Sequence, residues 1–549
     1  MKALSLSILS IGSSSDSHLQ DDRMKEPSEV ISDYDTECAN EEYIIGSIDL
    51  LFRETDLFSH AGTYPTTMAP QIVQYALIYR HSTMAPLVLP VKNYVNPYIQ
   101  VWLPMSLCDN ALFPALLFSS LSHKRINDLL AGGKSLPATE LMKPVIEACY
   151  KEAIGAINLA LLTPGRALTD ATILAILMTV ESPFLISSDG WLEEPPFQAH
   201  LQDLQWLSVH SAREPNLGHQ EGLCKLINMR GGLARIETPG LAAAAFFRVL
   251  VNSTLLLSTP PLPFYPLSAP DVQNFNTPVT QEPRCESTCM MILHAARVHP
   301  LVSAVMMELV DYSTAVERYI RGSAPGLTAQ IMCDRRNLAQ YNLMSIPVIT
   351  GGEPENVLSE ICRIAAIIYS IGVTFPLSGV GAPFGSLVKQ LKRKIQEIRL
   401  LEVLILQPRI GSLLLWATTM GAIAAKGKSE RPFLTATLSK LIHQSGVAHW
   451  SDLKAGLRSI LWLDGTCDLG GKEVWGEARA VIESVSEAPK CDDDLSSPVT
   501  DTSPPCMRCQ SRKIRVIILG TVDEVPKDIA KRLRLKRVID GFFRAERGL

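Results

Sequence analysis

Hydrophobic residues recur at helical spacing along most of the chain from about Ile45. Apolar side chains three and four residues apart form one face of an α-helix, whereas strict alternation indicates a strand. We find no alternating, turn-bounded run that predicts a sheet, and no repeat of fixed period. The pattern therefore predicts an all-α protein with a large multi-helix body. The segments that carry it most clearly are 111–123, 141–162, 169–182, 218–232, 357–372, 386–406 and 413–425.

Two of these segments carry clear end signals. Thr169 and Asp170 precede an apolar run, and both residue types are favoured where a helix begins. Arg230 suits the negative end of the helix before it. Gly231 and Gly232 follow it and suit a left-handed helix cap.

The most hydrophobic run, residues 413–425, is too short to span a bilayer and contains two Thr. We therefore interpret it as a buried helix and expect no membrane partner. The first fifteen residues weakly resemble a signal peptide, but Ser5, Ser7 and Ser10 interrupt the apolar part. We therefore do not expect secretion.

The composition, 47% hydrophobic and 19% charged residues, is typical of a globular protein, and the net charge of -5 is small for 549 residues. This excludes a polyanion binder that uses its whole surface. The charge is uneven, because residues 16–42 hold ten acids and two bases, whereas residues 506–549 hold twelve bases and five acids. We predict an acidic disordered leader (1–45), a helical domain (46–480), a Ser/Pro/Asp-rich linker (481–505) and a basic tail (506–549).

The twelve cysteines are scattered and do not form a disulfide framework. Cys108, Cys149, Cys224 and Cys362 lie among apolar residues, as buried free thiols do. This distribution favours a reducing compartment.

One cysteine pair, Cys506 and Cys509, begins the basic tail and is followed by Arg512, Lys513 and Arg515. Paired thiolates bind Zn²⁺, and basic side chains contact DNA phosphates. We take the two cysteines as candidate metal ligands and the three bases as candidate DNA contacts. The pair is incomplete as a zinc site, since no cysteine follows it.

Cys467 and Cys491 would complete a four-thiolate site only through long, irregular spacing. A second basic run, residues 531–537, suits a nuclear import signal or a solvated helix face better than DNA contact.

The chain contains neither an H-E-x-x-H metalloprotease motif nor a G-x-S-x-G nucleophile elbow. His219 lies near a predicted helix start, two residues before Glu221. A ligand or catalytic role needs further converging groups, so we favour a packed or capping histidine. We expect no enzymatic activity and no catalytic residues.

Several segments resemble, in order, the fungal-specific transcription factor domain family. The resemblance runs from about residue 56 to 477 and rests on Trp102, Asp109, residues 111–117, the Asp-Ala-Thr segment at 170–172, His219, Gly222, Leu223, Arg230, Gly231, Gly232, Trp416, Gly421, Arg431, Phe433 and Trp462. It implies an all-α regulatory domain without established catalytic residues.

The resemblance also implies an N-terminal zinc binuclear cluster, in which six cysteines hold two zinc ions. No such pattern precedes the helical segments, and Val516 stands where the third cysteine would follow Cys506 and Cys509. Three explanations remain open: a chance match, the remnant of a cluster, or a wrongly assigned exon that hides a complete one. We expect zinc as a cofactor only in the last case.

These observations favour a fungal transcriptional regulator, or a regulator-like protein, whose DNA binding is weak or lost. One alternative is an interaction partner that modulates an intact zinc-cluster regulator as a homo- or heterodimer. Another is a helical receptor that responds to a small molecule. The expected partners are other transcriptional regulators and, through weak contacts, DNA.

Overall fold

Helices form nearly all of the regular structure in the computed structural model of the chain. The structure describes residues 64–88, 96–131, 137–185, 195–267, 288–324, 326–377, 381–399 and 408–486. The predicted all-α class is confirmed. The leader and the tail lie outside the described residues, and the final helix continues beyond residue 480, where we place the start of the linker.

In the described part of the N-terminal half there are α-helices, two π-helical turns, two 3₁₀ turns and two short strands. In chain order they are α1 (Pro70–Tyr79), a π-turn (Arg80–Met84), α2 (Ala85–Val88), a π-turn (Tyr98–Trp102), α3 (Leu103–Leu107), α4 (Leu112–Leu130), α5 (Pro137–Leu162), α6 (Asp170–Thr179), β1 (Glu181–Leu185), a 3₁₀ turn (Leu204–Trp206), α7 (Leu207–Ser211), β2 (Arg213–Pro215), α8 (Leu217–Met229), a 3₁₀ turn (Leu233–Arg235) and α9 (Leu241–Leu255).

The C-terminal half of the described chain is helical throughout. Its elements are α10 (Thr288–Ala295), α11 (Pro300–Ile320), α12 (Ala329–Ser345), α13 (Pro354–Tyr369), a π-turn (Ser370–Thr374), α14 (Phe384–Arg399), α15 (Pro408–Ala424), α16 (Arg431–Gln444), α17 (Trp450–Arg458) and α18 (Asp464–Ser486).

The helix ends follow the sequence signals. The side chain of Thr169 accepts a hydrogen bond from the backbone N–H of Thr172 at 3.3 Å, which caps α6. Gly231 and Gly232 follow α8 with φ of 100° and 94°, a region that favours glycine. The predicted cap and the predicted left-handed turn are both confirmed.

Two helices organise the core. In the N-terminal half α4 packs against α1, α5 and α6, and it is buried along most of its length because its apolar residues surround the helix. In the C-terminal half α13 packs against α11, α12, α14 and α15. Contacts between α9 and α12 connect the two halves.

The most hydrophobic long helix is not the one we expected. The segment Pro354–Thr374 has the length and composition of a membrane span, although no run met that criterion in the sequence analysis. Its apolar window is entirely buried within the protein, so its hydrophobicity is explained by its central place in the core. The 413–425 segment is also a buried helix, as predicted.

Two further details differ from the sequence analysis. Strands β1 and β2 pair antiparallel, although neither has an alternating pattern. They pair because α6 ends and α8 begins close together, and Asn216 donates its backbone N–H to the carbonyl of Val180 at 3.0 Å. Cys108 is exposed rather than buried, since it lies in the turn after α3, whereas Cys149, Cys224 and Cys362 are buried as predicted.

A buried cationic cavity as candidate functional site

The candidate metal ligands Cys506 and Cys509 lie outside the described residues, as do the candidate DNA contacts Arg512, Lys513 and Arg515. Cys467 is completely buried, and burial raises the pKa of its thiol to about 12. A protonated, enclosed thiol is a poor zinc ligand, because the thiolate is the binding form. Within the described ranges, no three His, Cys, Asp or Glu side chains form a group that could hold a metal ion.

His219 is a packing histidine. It lies in the first turn of α8, where its backbone N–H donates to the side chain of Asn216 at 3.2 Å. Its Nδ1 lies 2.8 Å from the carbonyl oxygen of Thr179, so Nδ1 carries the proton and donates. The ring also stacks on Tyr150. These contacts connect α8 to α5 and α6.

Asp170 connects α6 to the segment before α9. Its Oδ2 accepts hydrogen bonds from the backbone N–H of Glu237 at 3.1 Å, and from the N–H and hydroxyl of Thr238 at 2.8 and 2.9 Å. Arg230 places Nη2 2.9 Å from Oδ1 of Asp170 and also donates to the carbonyl of Leu168. Two residues that carry the family resemblance therefore form one structural link.

Other residues that carry the resemblance also make structural contacts. Trp102 donates from Nε1 to the carbonyl of Pro239 at 2.9 Å, and Trp416 donates to the carbonyl of Leu461 at 2.7 Å. Arg431 bridges α16 to α18 through Glu477, with Nη2 2.8 Å from Oε1. These polar side chains hold distant segments together.

Different residues form a cavity that combines apolar walls with converging polar groups. It has a volume of about 40 Å³ and lies between the π-turns, α7 and α9. That volume admits a ligand of a few non-hydrogen atoms, well below the size of a typical drug-binding pocket. Its walls are formed by Met84, Val88, Tyr98, Trp102, Ser119, Leu177, Met178, Gln205, His210, Ala244, Phe247, Arg248 and Leu267.

Arg80 lies directly behind this cavity and is only 2% exposed. Its Nη1 is 3.4 Å from the hydroxyl of Ser120, and its guanidinium carbon is 5.2 Å from the centre of the Tyr98 ring. Its Nε and Nη2 form no hydrogen bond with any residue that the structure describes, and none of the described carboxylates pairs with it. Burial of a charge without such a partner costs several kcal/mol.

A second arginine, Arg248, lines the cavity from α9. Its Nη2 lies 2.6 Å from Nδ1 and 3.2 Å from Nε2 of His210, so the guanidinium approaches both ring nitrogens. Burial lowers the pKa of His210 to about 3, in agreement with a neutral ring. The ring centres of His123 and His210 are 5.8 Å apart. Burial, together with the nearby His210, Arg248 and Arg80, holds the pKa of His123 well below its usual range.

Both arginines remain charged at neutral pH. Burial lowers the pKa of Arg80 to about 10 and that of Arg248 to about 9, and Tyr98 opposes the shift in both cases. Burial raises the pKa of Tyr98 to about 12, so its phenol is neutral. Among the described residues that line the cavity there is no Asp or Glu. The backbone N–H of the lining residue Leu267 donates to Oδ1 of the buried Asp334.

The backbone around the cavity is unusual in three places. The turns Arg80–Met84 and Tyr98–Trp102 are both π-helical, a conformation that is rare and frequently occurs at functional sites. Gln205 and Trp206 have φ of 60° and 52°, which is strained for residues other than glycine. Trp206 donates from Nε1 to the carbonyl of Met84 at 3.0 Å, so the strained turn is joined to the first π-turn.

The cavity presents more hydrogen-bond donors than groups that could act as a base. Gln205 directs its amide oxygen to Nη2 of Arg336 at 2.6 Å and to Nδ2 of Asn337 at 3.0 Å, which leaves its NH₂ group for the cavity. The Tyr98 hydroxyl forms no hydrogen bond with a described residue. His210 is a poor base, because burial lowers its pKa to about 3. The arrangement suits binding of an electron-rich group.

No pattern in the sequence predicted this site. Arg80 and Arg248 are single charges within apolar helical segments, ALIYRHSTM and AAAAFFRVLV. A lone charge on an otherwise apolar helix is a signal that it is buried or functional. Neither segment shows that the two arginines approach the same tyrosine.

Comparison of the chain with protein-family models, curated proteins and solved structures found no match.

Proposed function

We propose that the chain is a fungal transcriptional regulator, or a regulator-like protein, that acts through its helical domain in the nucleus. The observation that carries the proposal concerns the residues that resemble the fungal-specific transcription factor domain, which form contacts between distant segments. Asp170 with Arg230, and Trp416 with the carbonyl of Leu461, connect separate parts of the helical array. Contacts of this kind suit a domain that acts as a scaffold or transmits a signal between its parts.

The proposal includes other transcriptional regulators as partners and weak or absent DNA binding. A tethering experiment tests the regulatory part directly. The full chain is fused to a heterologous DNA-binding domain and expressed in a fungal host with a matching reporter. We expect the reporter to be activated or repressed relative to the DNA-binding domain alone, and unchanged reporter output would contradict the proposal.

The DNA-binding part is tested separately. Filter binding of the purified full chain to duplex DNA is measured across a salt series, with Arg512, Lys513 and Arg515 replaced together by alanine in a second sample. Phosphate contacts weaken steeply with salt. We expect weak binding that the triple substitution reduces further. Tight binding that persists at high salt would contradict this part of the proposal.

A second candidate function, a receptor that responds to a small molecule, is favoured by the cavity beside Arg248. It combines apolar walls with converging polar groups and unusual backbone conformations, the combination expected of a ligand site. The two functions are compatible, because a ligand that fills the helical domain can change the activity of a regulator. A shift in the melting temperature of the full chain on addition of a ligand tests the receptor function.

A further inference from the structure

We infer that residues 196–206 form a releasable strap, which is held against the C-terminal half under backbone strain and controls the first π-turn. The strap leads directly into α7 and contains the 3₁₀ turn Leu204–Trp206. It contacts elements of both halves of the described chain, so its release would affect both. This conformational role is separate from the regulator and receptor functions proposed above.

The strap lies against two glycines of the C-terminal half, which we call the seat. A methyl group at Gly372, in the π-turn after α13, would lie 2.4 Å from Cδ2 of Phe197. A methyl group at Gly465, in the first turn of α18, would lie 2.6 Å from Nε2 of His200. The Phe197 side chain is buried and its ring centre is 5.7 Å from that of Phe384, so the ring has little room to turn aside. The seat therefore fits the strap because both of its residues lack a side chain.

Hydrogen bonds fasten the strap near both of its ends. Gln198 donates its backbone N–H to the carbonyl of Thr466 on α18 at 3.2 Å. Trp206 donates from Nε1 to the carbonyl of Met84 at 3.0 Å, and Met84 is the last residue of the first π-turn. The strap thus joins α18 to a π-helical turn in the N-terminal half.

Backbone strain lowers the cost of releasing the strap. Leu201, Gln205 and Trp206 have φ of 56°, 60° and 52°. This left-handed region is unfavourable for residues that carry a Cβ atom, so it persists only where the surroundings hold it. Release would let the three residues return to ordinary backbone angles, which offsets part of the contacts that are lost. The strap should therefore open separately from the rest of the core.

Release of the strap would also change the N-terminal half. It would break the hydrogen bond between Trp206 and Met84, which supports the first π-turn from outside. A π-turn is a rare conformation that frequently occurs at functional sites. Events at the seat would in this way reach the first π-turn through a single segment.

The experiment is hydrogen–deuterium exchange of the purified full chain, followed by mass spectrometry with fragmentation that resolves single amides. Release is read at the amide of Gln198, because its hydrogen bond to Thr466 breaks when the strap leaves the seat. The reference is α13, whose apolar window is entirely buried and whose amides should exchange only on global unfolding. We expect the Gln198 amide to exchange about 100-fold faster than those of α13, after correction for intrinsic rates.

Substitutions in the seat push on the strap without altering its sequence. Gly372→Ala and Gly465→Ala should each raise the exchange rate at Gln198 by about fivefold or more, because the added methyl group overlaps the strap. The control is Gly476→Ala, also on α18. There the methyl group meets no atom of the described residues within 4 Å outside the local helix backbone, so the rate at Gln198 should not change. Gly465→Ala keeps the test informative if Gly372→Ala fails to fold.

A pair of variants at Leu201 tests the strain. Leu201→Ala and Leu201→Gly both remove the side chain, but only glycine adopts the left-handed conformation without cost. We expect exchange at Gln198 to be about fivefold slower in Leu201→Gly than in Leu201→Ala.

Exchange in residues 80–85 tests the link to the first π-turn. The backbone N–H of Ala85 donates to the carbonyl of Arg80, so its exchange reports opening of that turn. We expect it to become faster in Gly372→Ala and Gly465→Ala, and to stay unchanged in Gly476→Ala.

Three results would overturn the inference in whole or in part. Exchange at Gln198 as slow as in α13 would mean that the strap opens only when the whole protein unfolds. Faster exchange at Gln198 in the seat variants, with no change at Ala85, would reduce the strap to a surface loop without control of the first π-turn. Equal rates in Leu201→Ala and Leu201→Gly would show that strain does not favour release.

Discussion

Arg248 places Nη2 2.6 Å from Nδ1 and 3.2 Å from Nε2 of His210, so a buried cation faces a buried histidine whose pKa is lowered to about 3 by burial. The contact joins α9 to the short helix α7. It also determines how this part of the protein responds to acid.

The stability of the protein should fall as the pH is lowered from about 6.5 towards 3. Burial lowers the pKa of His210 to about 3 from its ordinary value of 6.5, so the unfolded chain takes up a proton in this range and the folded chain does not. Stability from the neutral ring is present above pH 6.5 and is lost as the pH falls, at up to about 1.4 kcal/mol per pH unit. Urea unfolding at several pH values measures the slope.

His210→Asn should make that slope shallower, because the amide oxygen can accept from Arg248 and does not titrate. His443→Asn, at an exposed position on α16, is the control and should leave the slope unchanged. A slope that is identical in the wild type and His210→Asn would contradict the role given to His210. The neighbouring His123 and Tyr98 remain in place in both variants.

The same substitution at two buried arginines should have opposite effects on stability. Arg80→Met should raise the free energy of unfolding by about 1–3 kcal/mol, since it replaces a buried charge that lacks a carboxylate partner among the described residues. Arg336→Met should lower it by about 2–4 kcal/mol. Arg336 donates to the carbonyl of Leu204 at 2.8 Å and to the amide oxygen of Gln205 at 2.6 Å. Its loss removes both bonds, and Gln205 then keeps only the bond from Asn337.

Urea unfolding of both variants gives the comparison. A loss of stability in Arg80→Met as large as that in Arg336→Met would mean that the surroundings of Arg80 satisfy its charge.

Substitution of Asp170 should lower the stability of the protein more than substitution of most residues near the surface. Asp170→Ala removes the acceptor for two backbone N–H groups and the hydroxyl of Thr238, and it leaves Arg230 without its carboxylate. We expect the free energy of unfolding to fall by about 2–4 kcal/mol. Thermal and urea unfolding measure the change, and Glu214→Ala, at an exposed position, is the control. A loss no greater than that of the control would contradict the structural role of Asp170.

Two glycines on α15 should respond differently to alanine. A methyl group at Gly421 would lie 2.4 Å from Cδ2 of Leu391 on α14, so Gly421→Ala should lower the free energy of unfolding by about 1–3 kcal/mol. At Gly411 no atom of the described residues outside the local helix backbone lies within 4 Å of that position, and Gly411→Ala should raise stability by up to about 1 kcal/mol through helix propensity. Equal effects of the two substitutions in urea unfolding would contradict the close approach of α14 and α15.

The zinc content of the purified full chain distinguishes the explanations of the Cys506 and Cys509 pair. Two thiolates are too few for a binuclear cluster, so we expect elemental analysis to find no stoichiometric zinc. About two zinc ions per chain would require further ligands and would favour a complete cluster hidden by a wrongly assigned exon. The protein should be purified without chelators so that a bound metal is retained.

The sequence by itself determined the helical class and many of the helix ends. Helical periodicity depends on residues three or four apart, and the cap at Thr169 and the turn at Gly231 depend on their immediate neighbours. Such local signals are legible without knowledge of the fold. The buried state of α13 was harder to predict, because a core helix and a membrane span have similar composition.

Only the tertiary structure decided the candidate site. Arg80, Tyr98, Gln205 and Arg248 come from four separate elements, and no pattern of local spacing relates them. Their meeting depends on the packing of α1, α7 and α9 and on strained backbone at Gln205, which local propensity does not favour. The sequence marked each arginine as a lone charge on an apolar helix, and packing placed the two charges near one cavity.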